Sequence, residues 1–524
     1  MNLLPVPVVV LVLLAALGVL SLGVTGAPLA PITDDAAADA AVAPTAGGHV
    51  CVTGAGPAEP DAAMLLLAAV DDGADASPAR GTVLTLGPEP ARRSFGPSAP
   101  GSLEVVDVEL GEEGWVFVGW ADRAVAAWQE WRTEGAPGQP RGVAASTCLP
   151  TDPPVQTILG MRTDGGFEAR LRLANPFEVD ATFAVTLLTD DGVVEPIALR
   201  NVSVPAGERV TVRLNDHVPE QSDVAAVVTI GAGRLAVEGL QRAVAAVGGI
   251  EGIAVLPPVT APSVTWTFPW LPVGPDVDGA VWVLNPEPRP VVVELTLHTP
   301  QGATVPLEES VEIPGGTVVR LDTVDLVTDG SRTSGLTLRS ETTGVLASAG
   351  GVFLSGDPSR TGLVAFAGAP VPDAEWSVAG AVLEGRDTVL HVVNLDEVTA
   401  SLRVVLTTSR REAAPDAAGA PVTAGDEQLT TVVIEPGTLA PGATLRIPLP
   451  VEGADAFSAV VDGGRALVVS RTTTGRELLE PVAVAASPSS AWRLSGRSLL
   501  GRRLDGWVVS LTGGTAQEDA ATGR

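Results

Sequence analysis

The chain contains no lysine and no tyrosine, so all 32 basic residues are arginine, set against 62 acidic ones. Without lysine a Walker-type phosphate loop is excluded. The sequences H-E-x-x-H, G-x-S-x-G and paired C-x-x-C are also absent, which removes the common zinc-protease, serine-hydrolase and zinc-ribbon readings. Histidine is scarce, with four scattered copies, too few and too far apart for a histidine-based metal site. Charged residues make up only 18% and still leave a net charge of −30. With no basic stripe to offset it, that surface repels phosphate backbones and anionic lipid heads, so no nucleic-acid partner is expected. Beyond the N-terminus no stretch has the period of a long amphipathic helix.

What is present is apolar and β-forming. Apolar residues reach 45%, and Val, Thr, Gly and Pro dominate a chain of 524 residues. That composition predicts an all-β body, and the length predicts several domains of roughly 100 to 200 residues each. The opening run "LLPVPVVVLVLLAALGVLSLGV", Leu3 to Val24, carries no charge and is long enough to span a bilayer. Residues 1–25 are therefore expected to form a transmembrane signal-anchor helix, with a cleaved signal as the alternative. Both readings place the body outside the cytoplasm. Residues 26–47, rich in Pro, Ala and Asp, read as a stalk. Two cysteines, Cys51 and Cys148, in an exported chain predict one structural disulfide.

The body repeats itself. "ARLRLANPFEVDATFAVTLLTDDG" at 169 matches "GAVWVLNPEPRPVVVELTLHTPQG" at 279 and "TVLHVVNLDEVTASLRVVLTT" at 388. The asparagines Asn175, Asn285 and Asn394 thus recur about every 110 residues. A second landmark follows each, "VPAGERVTVRL" at 204, "IPGGTVVRLDT" at 313 and "LAPGATLRIPL" at 439, with a relative in "SAPGSLEVVDVEL" at 98. Trp266, Trp376 and Trp492 stand near the starts of units. In "RVTVRLN", Val210, Val212 and Leu214 share one strand face, and Arg209, Thr211 and Arg213 the other. The expected fold is all-β, tandem Ig-like β-sandwich repeats after an N-terminal transmembrane or signal helix, with a propeller of four oversized blades as the alternative. The units span 48–150 (with the disulfide), 151–260, 261–370 and 371–486. A partial repeat occupies 487–512 and a disordered tail 513–524.

One stretch tests for a cofactor. Gly231-Ala-Gly233-Arg-Leu-Ala236, inside "VVTIGAGRLAVEGL", spells the G-x-G-x-x-A of dinucleotide-binding turns. Its counterparts "VFVGWADRAVAAW", "LTLRSETTGVLAS" and "AVVDGGRALVVS" do not, and Leu235 and Val237 alternate as in a strand. The stretch is read as a β-hairpin, with no nucleotide and no other cofactor expected. His391 shares its repeat position with Trp282 and Arg172, a variability that suggests an exposed strand face. The carboxylate clusters Asp71-Asp72-Gly73-Ala74-Asp75 and Asp276-Val277-Asp278-Gly279 lack the spacing of a calcium loop and read as solvated turns, so no metal site is expected.

Trp115, Trp120, Trp128 and Trp131 crowd into the first unit. Strand parity puts Trp128 and Trp131 on opposite faces, so at most one faces the core. Trp131, Trp128 and Trp120 are the candidate binding surface for a protein or a sugar ring, with Trp131 foremost.

The N-terminal apolar segment, the early Cys51, the "NP" strand ends and the "PAG" turns resemble a family of uncharacterised exported, membrane-anchored proteins of actinobacteria, assigned to a domain of unknown function. The likeness covers most of residues 50 to 510. It implies an extracytoplasmic location and a repeated architecture without an assigned activity, and the placing of some members beside envelope glycosyltransferases points to glycans. The function expected is a membrane-tethered structural or interaction protein of the cell envelope, not an enzyme, with an envelope protein or glycan as partner. The alternative is a carbohydrate-binding accessory to envelope glycan assembly.

Overall fold

The computed structural model describes residues 46–488, apart from 53–61, 70–79, 87–91, 96–102, 108–114, 122–124, 134–139, 152, 244–249, 303, 307–309, 328–333, 355–360, 384–385, 412–426, 476–481 and 486. The expected anchor helix, most of the stalk, Asp71–Asp75 and nearly all of the partial fifth repeat lie outside the described residues. Residues 46 and 47, assigned to the stalk, instead open the strand Ala46–Val52. Among the described residues no helix is long and apolar enough to cross a membrane.

The protein is nearly all β. Alternation drives the strands: in Ala181–Thr189 the residues Ala181, Phe183, Val185 and Leu187 are buried, while Thr182, Ala184 and Thr186 are half-buried. Residues 155–256 form two antiparallel sheets. The first runs Gly192–Val194, Ala181–Thr189, Val224–Ala232, Val155–Met161, with Val202–Val204 added beside Ala181–Thr189. The second runs Arg209–Arg213, Phe167–Ala174, Ala236–Ala243, Gly252–Leu256. Ile158, Phe183 and Val228 from the first meet Leu171, Val212 and Val237 from the second in one core. Val212 and Leu214 are buried and Thr211 and Arg213 exposed, as the alternation requires.

The same strand order recurs in three further sheet pairs, within residues 46–147, 265–367 and 373–488. In each, the chain passes from one sheet to the other at the same point. Trp115–Ala121 belongs to one sheet and Val125–Thr133 to its partner, and Gly335–Ser340 and Leu346–Phe353 divide likewise. In the last pair a single strand, Ala456–Gly475, continues through both halves, pairing with Asp373–Ala381 by its first part and with Arg386–Asn394 by its second.

This corrects the hairpin reading of Gly231–Ala236. Val224–Ala232 pairs with Ala181–Thr189 and Val155–Met161, whereas Ala236–Ala243 pairs with Phe167–Ala174 and Gly252–Leu256. The two flanking strands never pair with each other. The turn is an arch between sheets. A strand follows the glycines where a dinucleotide site needs a helix N-terminus.

The described residues form one compact unit, and within it the sheet pairs follow one another in cyclic order. Gly142–Thr147 packs against Gly252–Leu256, which packs against Gly362–Ala367, which packs against Val482–Ala485; that last strand returns to Gly142–Thr147. Closure of this kind is what a propeller would show, although each unit here contributes two sheets rather than one. Because each second sheet is covered on both sides, Ala236–Ala243 and Leu346–Phe353 are buried throughout their lengths.

Candidate functional site

The recurring asparagines are buried knots. Asn175 Nδ2 donates to the carbonyls of Val179 (2.8 Å) and Val204 (3.0 Å), and its Oδ1 accepts from Phe177 N–H (3.1 Å). Asn285 does the same with Arg289, Ile313 and Glu287, and Asn394 with Val398, Leu439 and Asp396. The Pro-x-Gly or Pro-Gly landmark closes the knot: Gly207, Gly316 and Gly442 donate their N–H to the carbonyls of Asn175, Asn285 and Asn394. Each of those glycines has a positive φ, 72°, 69° and 68°. The two sequence landmarks recur together because they bind each other.

In three of the four pairs the first strand has a similar clamp where the chain changes sheet. Gln156 Nε2 donates to Leu235 O (2.7 Å), Trp266 Nε1 to Val345 O (2.7 Å) and Trp376 Nε1 to Leu467 O (2.8 Å). Gln156 thereby holds the arch that resembles a nucleotide loop, and Arg234 within it lies 3.8 Å over the Phe177 ring.

Ionisable chemistry concentrates in the seams between consecutive sheet pairs. Between the first and second, Glu238 accepts from Gln129 Nε2 (2.8 Å) and pairs with Arg172. Burial pushes the Glu238 carboxyl upward, against the pull of Arg172 and Gln129. Between the second and third, Arg162 bonds Asp278 (3.0 Å), Asp278 also pairs with Arg320, and Trp282 Nε1 donates to Asp223 (2.6 Å). Burial raises the Asp223 carboxyl, with the Trp282 hydrogen bond and Arg320 opposing. Burial disfavours the Arg320 cation, but Asp322, Asp223 and Asp278 outweigh it and keep the guanidinium more firmly protonated than usual. Arg162, Asp278, Trp282 and Arg320 border a pocket of about 30 Å³.

Between the third and fourth pairs, His391 lies 5.8 Å from the Trp270 ring and shares a hydrogen bond with Thr472 Oγ1 (2.8 Å). Burial lowers its pKa to about 3, and Arg446 adds to that. Between the fourth and the first, Glu130 accepts from Arg471 Nη2 (3.0 Å) and from Ala381 N–H (3.2 Å).

Several sequence expectations change here. Arg172, Trp282 and His391 are 2%, 7% and 5% exposed, so their shared position lies in a seam, not on an open strand face. Asp278 belongs to the strand Val277–Leu284 and pairs with two arginines, so it is no solvated turn. Trp128 is 1% exposed and lies in the core with Leu66 and Val118 instead of on a binding surface. Its indole N–H has no partner among the described residues. Trp131 stands across the ladder from Ala63 and Ala144, and Trp120 across from Gly47 and Gly81; both side chains lie outside the described residues. Cys51 and Cys148 are joined, as expected. Sequence reasoning missed Glu130, Gln129, Glu238 and Arg471. The available signal was an acid or arginine inside an otherwise apolar strand, as in "VAAWQEW" and "LVVSRTTT". Among the described residues no group of three His, Cys, Asp or Glu is placed to hold a metal.

No curated protein matches the chain. Among solved structures it is similar to the Streptomyces avermitilis alpha-L-rhamnosidase complexed with L-rhamnose, at 10% identity and a TM-score of 0.14, over 75% of this chain and 55% of that one. The chain therefore spans about half the length of that enzyme. It is also similar to a tetra-tandem repeat in the extending region of a large adhesion protein, at 11% identity and a TM-score of 0.10, over 84% of this chain and 98% of that one. A family model described as a family of unknown function, DUF5719, matches residues 119–431.

Proposed function

Given that the chain belongs to DUF5719, a family of unknown function, we propose that it is a membrane-tethered, extracytoplasmic structural or interaction protein of an actinobacterial cell envelope, built from four Ig-like sandwiches and without catalytic activity. The observation that carries this reading is where the buried charges go. Arg471 pairs with Glu130, Arg162 with Asp278 and Arg320 with Asp223 across the seams, and Gln129 donates across another to Glu238. Arg172 with Glu238, and Arg320 with Asp278, pair within one sheet pair beside them. Their chemistry is used in fixing one sheet pair against the next, which suits a rigid platform. The disulfide and the lysine-free, acidic composition support an exported protein of a GC-rich organism. The uncharged run Leu3–Val24 supports the tether.

Protease added to intact cells of the source organism tests the reading. The body should fractionate with membranes and be digested from outside, and recovery of intact chain in the cytosol would reject it. A glycan array with the soluble body tests the sugar-binding alternative. Binding that disappears in Trp131→Ala would replace the protein-partner reading with the carbohydrate one.

A further inference from the structure

In three of the sheet pairs the far edge of the first sheet is, among the described residues, made of very short strands. They are Arg92–Phe95, then Gly192–Val194 with Val202–Val204, then Thr304–Pro306 with Val311–Ile313. Short, interrupted edges are how sheets avoid adding foreign strands. The fourth edge breaks that pattern. Glu427–Leu439 is one strand of 13 residues, paired with Ala400–Arg411 on one side and, among the described residues, ending the sheet on the other. Leu429, Val432 and Val433 are 48%, 43% and 47% exposed, and no charge interrupts "QLTTVVI", residues 428–434. A long, uncharged, apolar edge of this kind is a template for strand addition.

The occupant can be argued from the sequence. A second copy is disfavoured, because each chain carries a net charge of −30 and Glu435 lies in the edge itself. The chain's own C-terminal segment has the complementary character. Residues 493–503 carry Arg493, Arg497, Arg502 and Arg503 and no acid. The segment "RRLDGWVVSL", 502–511, matches "RDTVLHVVNL", 386–395. The matching strand, Arg386–Asn394, is one that takes neighbours on both sides. Reach is sufficient. Ser487–Pro488 lies in the same sheet as Glu427–Leu439, at the end of the order Glu427–Leu439, Ala400–Arg411, Ala456–Gly475, Asp373–Ala381, Ser487–Pro488. Four strand spacings are roughly 19 Å, and the residues from 489 to 501 extend to about 40 Å.

We propose that the outer edge of Glu427–Leu439 is an intramolecular docking site that takes residues 502–511 of the same chain as an added strand. Hydrogen exchange on the full chain tests it. The edge-facing amides of residues 428–434 should exchange roughly tenfold or more slowly than in a chain ending at Ser490. Val508→Pro in the full chain should restore fast exchange at those amides alone, because proline removes a ladder donor; this variant keeps the test independent of truncation. Equal rates in the full and shortened chains would overturn the proposal. So would protection in the shortened chain that grows with protein concentration, which would make a second copy the occupant.

Discussion

The Arg471 guanidinium occupies the space that a side chain on Gly380 would need, and Phe457 closes the other side. Gly380→Ala should therefore displace Arg471 and leave Glu130, 4% exposed, without its cation. The expected loss is about 3–5 kcal/mol, the cost of breaking a buried pair, read by chemical denaturation. His391 gives a pH signature. Its folded pKa, about 3, lies below the ordinary 6.5, so its contribution is complete above pH 6.5 and is lost as pH falls from there toward 3. Between about pH 6 and pH 4, His391→Gln should lose stability less steeply than the native chain by up to roughly 1.4 kcal/mol per pH unit. Parallel stability curves would show that the ring does not remain neutral in the fold. At the asparagine knots, Asn285→Asp would set a carboxyl oxygen against the Arg289 and Ile313 carbonyls that now accept Nδ2 hydrogens. With Asn285 fully buried, a cost of about 2–5 kcal/mol is expected in the same assay.

At the scale of elements, the arch after Ala232 makes the clearest prediction. Gly233 has φ +71°, and a Cβ there would approach Ala181 Cα to 2.8 Å and Asp180 O to 2.9 Å. Gly233→Val should cost about 1–3 kcal/mol in backbone strain and a similar amount in overpacking, seen as a lower denaturation midpoint. Calorimetric titration with NAD or FAD should show no binding before or after the change. This arch also shows where the sequence stopped being informative. Alternation on both sides of Gly233 identified two strands, but alternation is the same whether they pair with each other or enter different sheets. Only long-range partners decide between the two, and those are invisible in a local pattern. The asparagine and proline–glycine motifs were legible as repeats, whereas their mutual hydrogen bonds cross about thirty to fifty residues and were not. Arg172, Trp282 and His391 misled for a different reason. Each seam has its own partner, Glu238, Asp223 or Trp270, so the shared position varies without being exposed.

For the whole molecule, the disulfide acts beyond the residues it encloses. Cys51 and Cys148 are 97 positions apart, and loop closure on that scale stabilises by about 4–5 kcal/mol. They lie in a core that also contains Ala379 and Ala456 of the fourth sheet pair. Reduction should therefore lower a single cooperative calorimetric transition of the full chain. Two transitions, with only one responding to reductant, would show that the first sheet pair melts independently.

The bond from Arg471 to Glu130 joins residues 341 positions apart, and it is made across the seam where the fourth sheet pair meets the first. A chain synthesised from its N-terminus presents Glu130 long before its arginine exists. Until then the carboxylate has to stay hydrated, so the first sheet pair must wait with one flank open. Assembly thereby acquires a late, committing step whose rate is set by loop-closure entropy and not by local strand formation. Chains arrested before residue 471 would expose an unfinished flank, and these are the species that quality-control proteases would meet first.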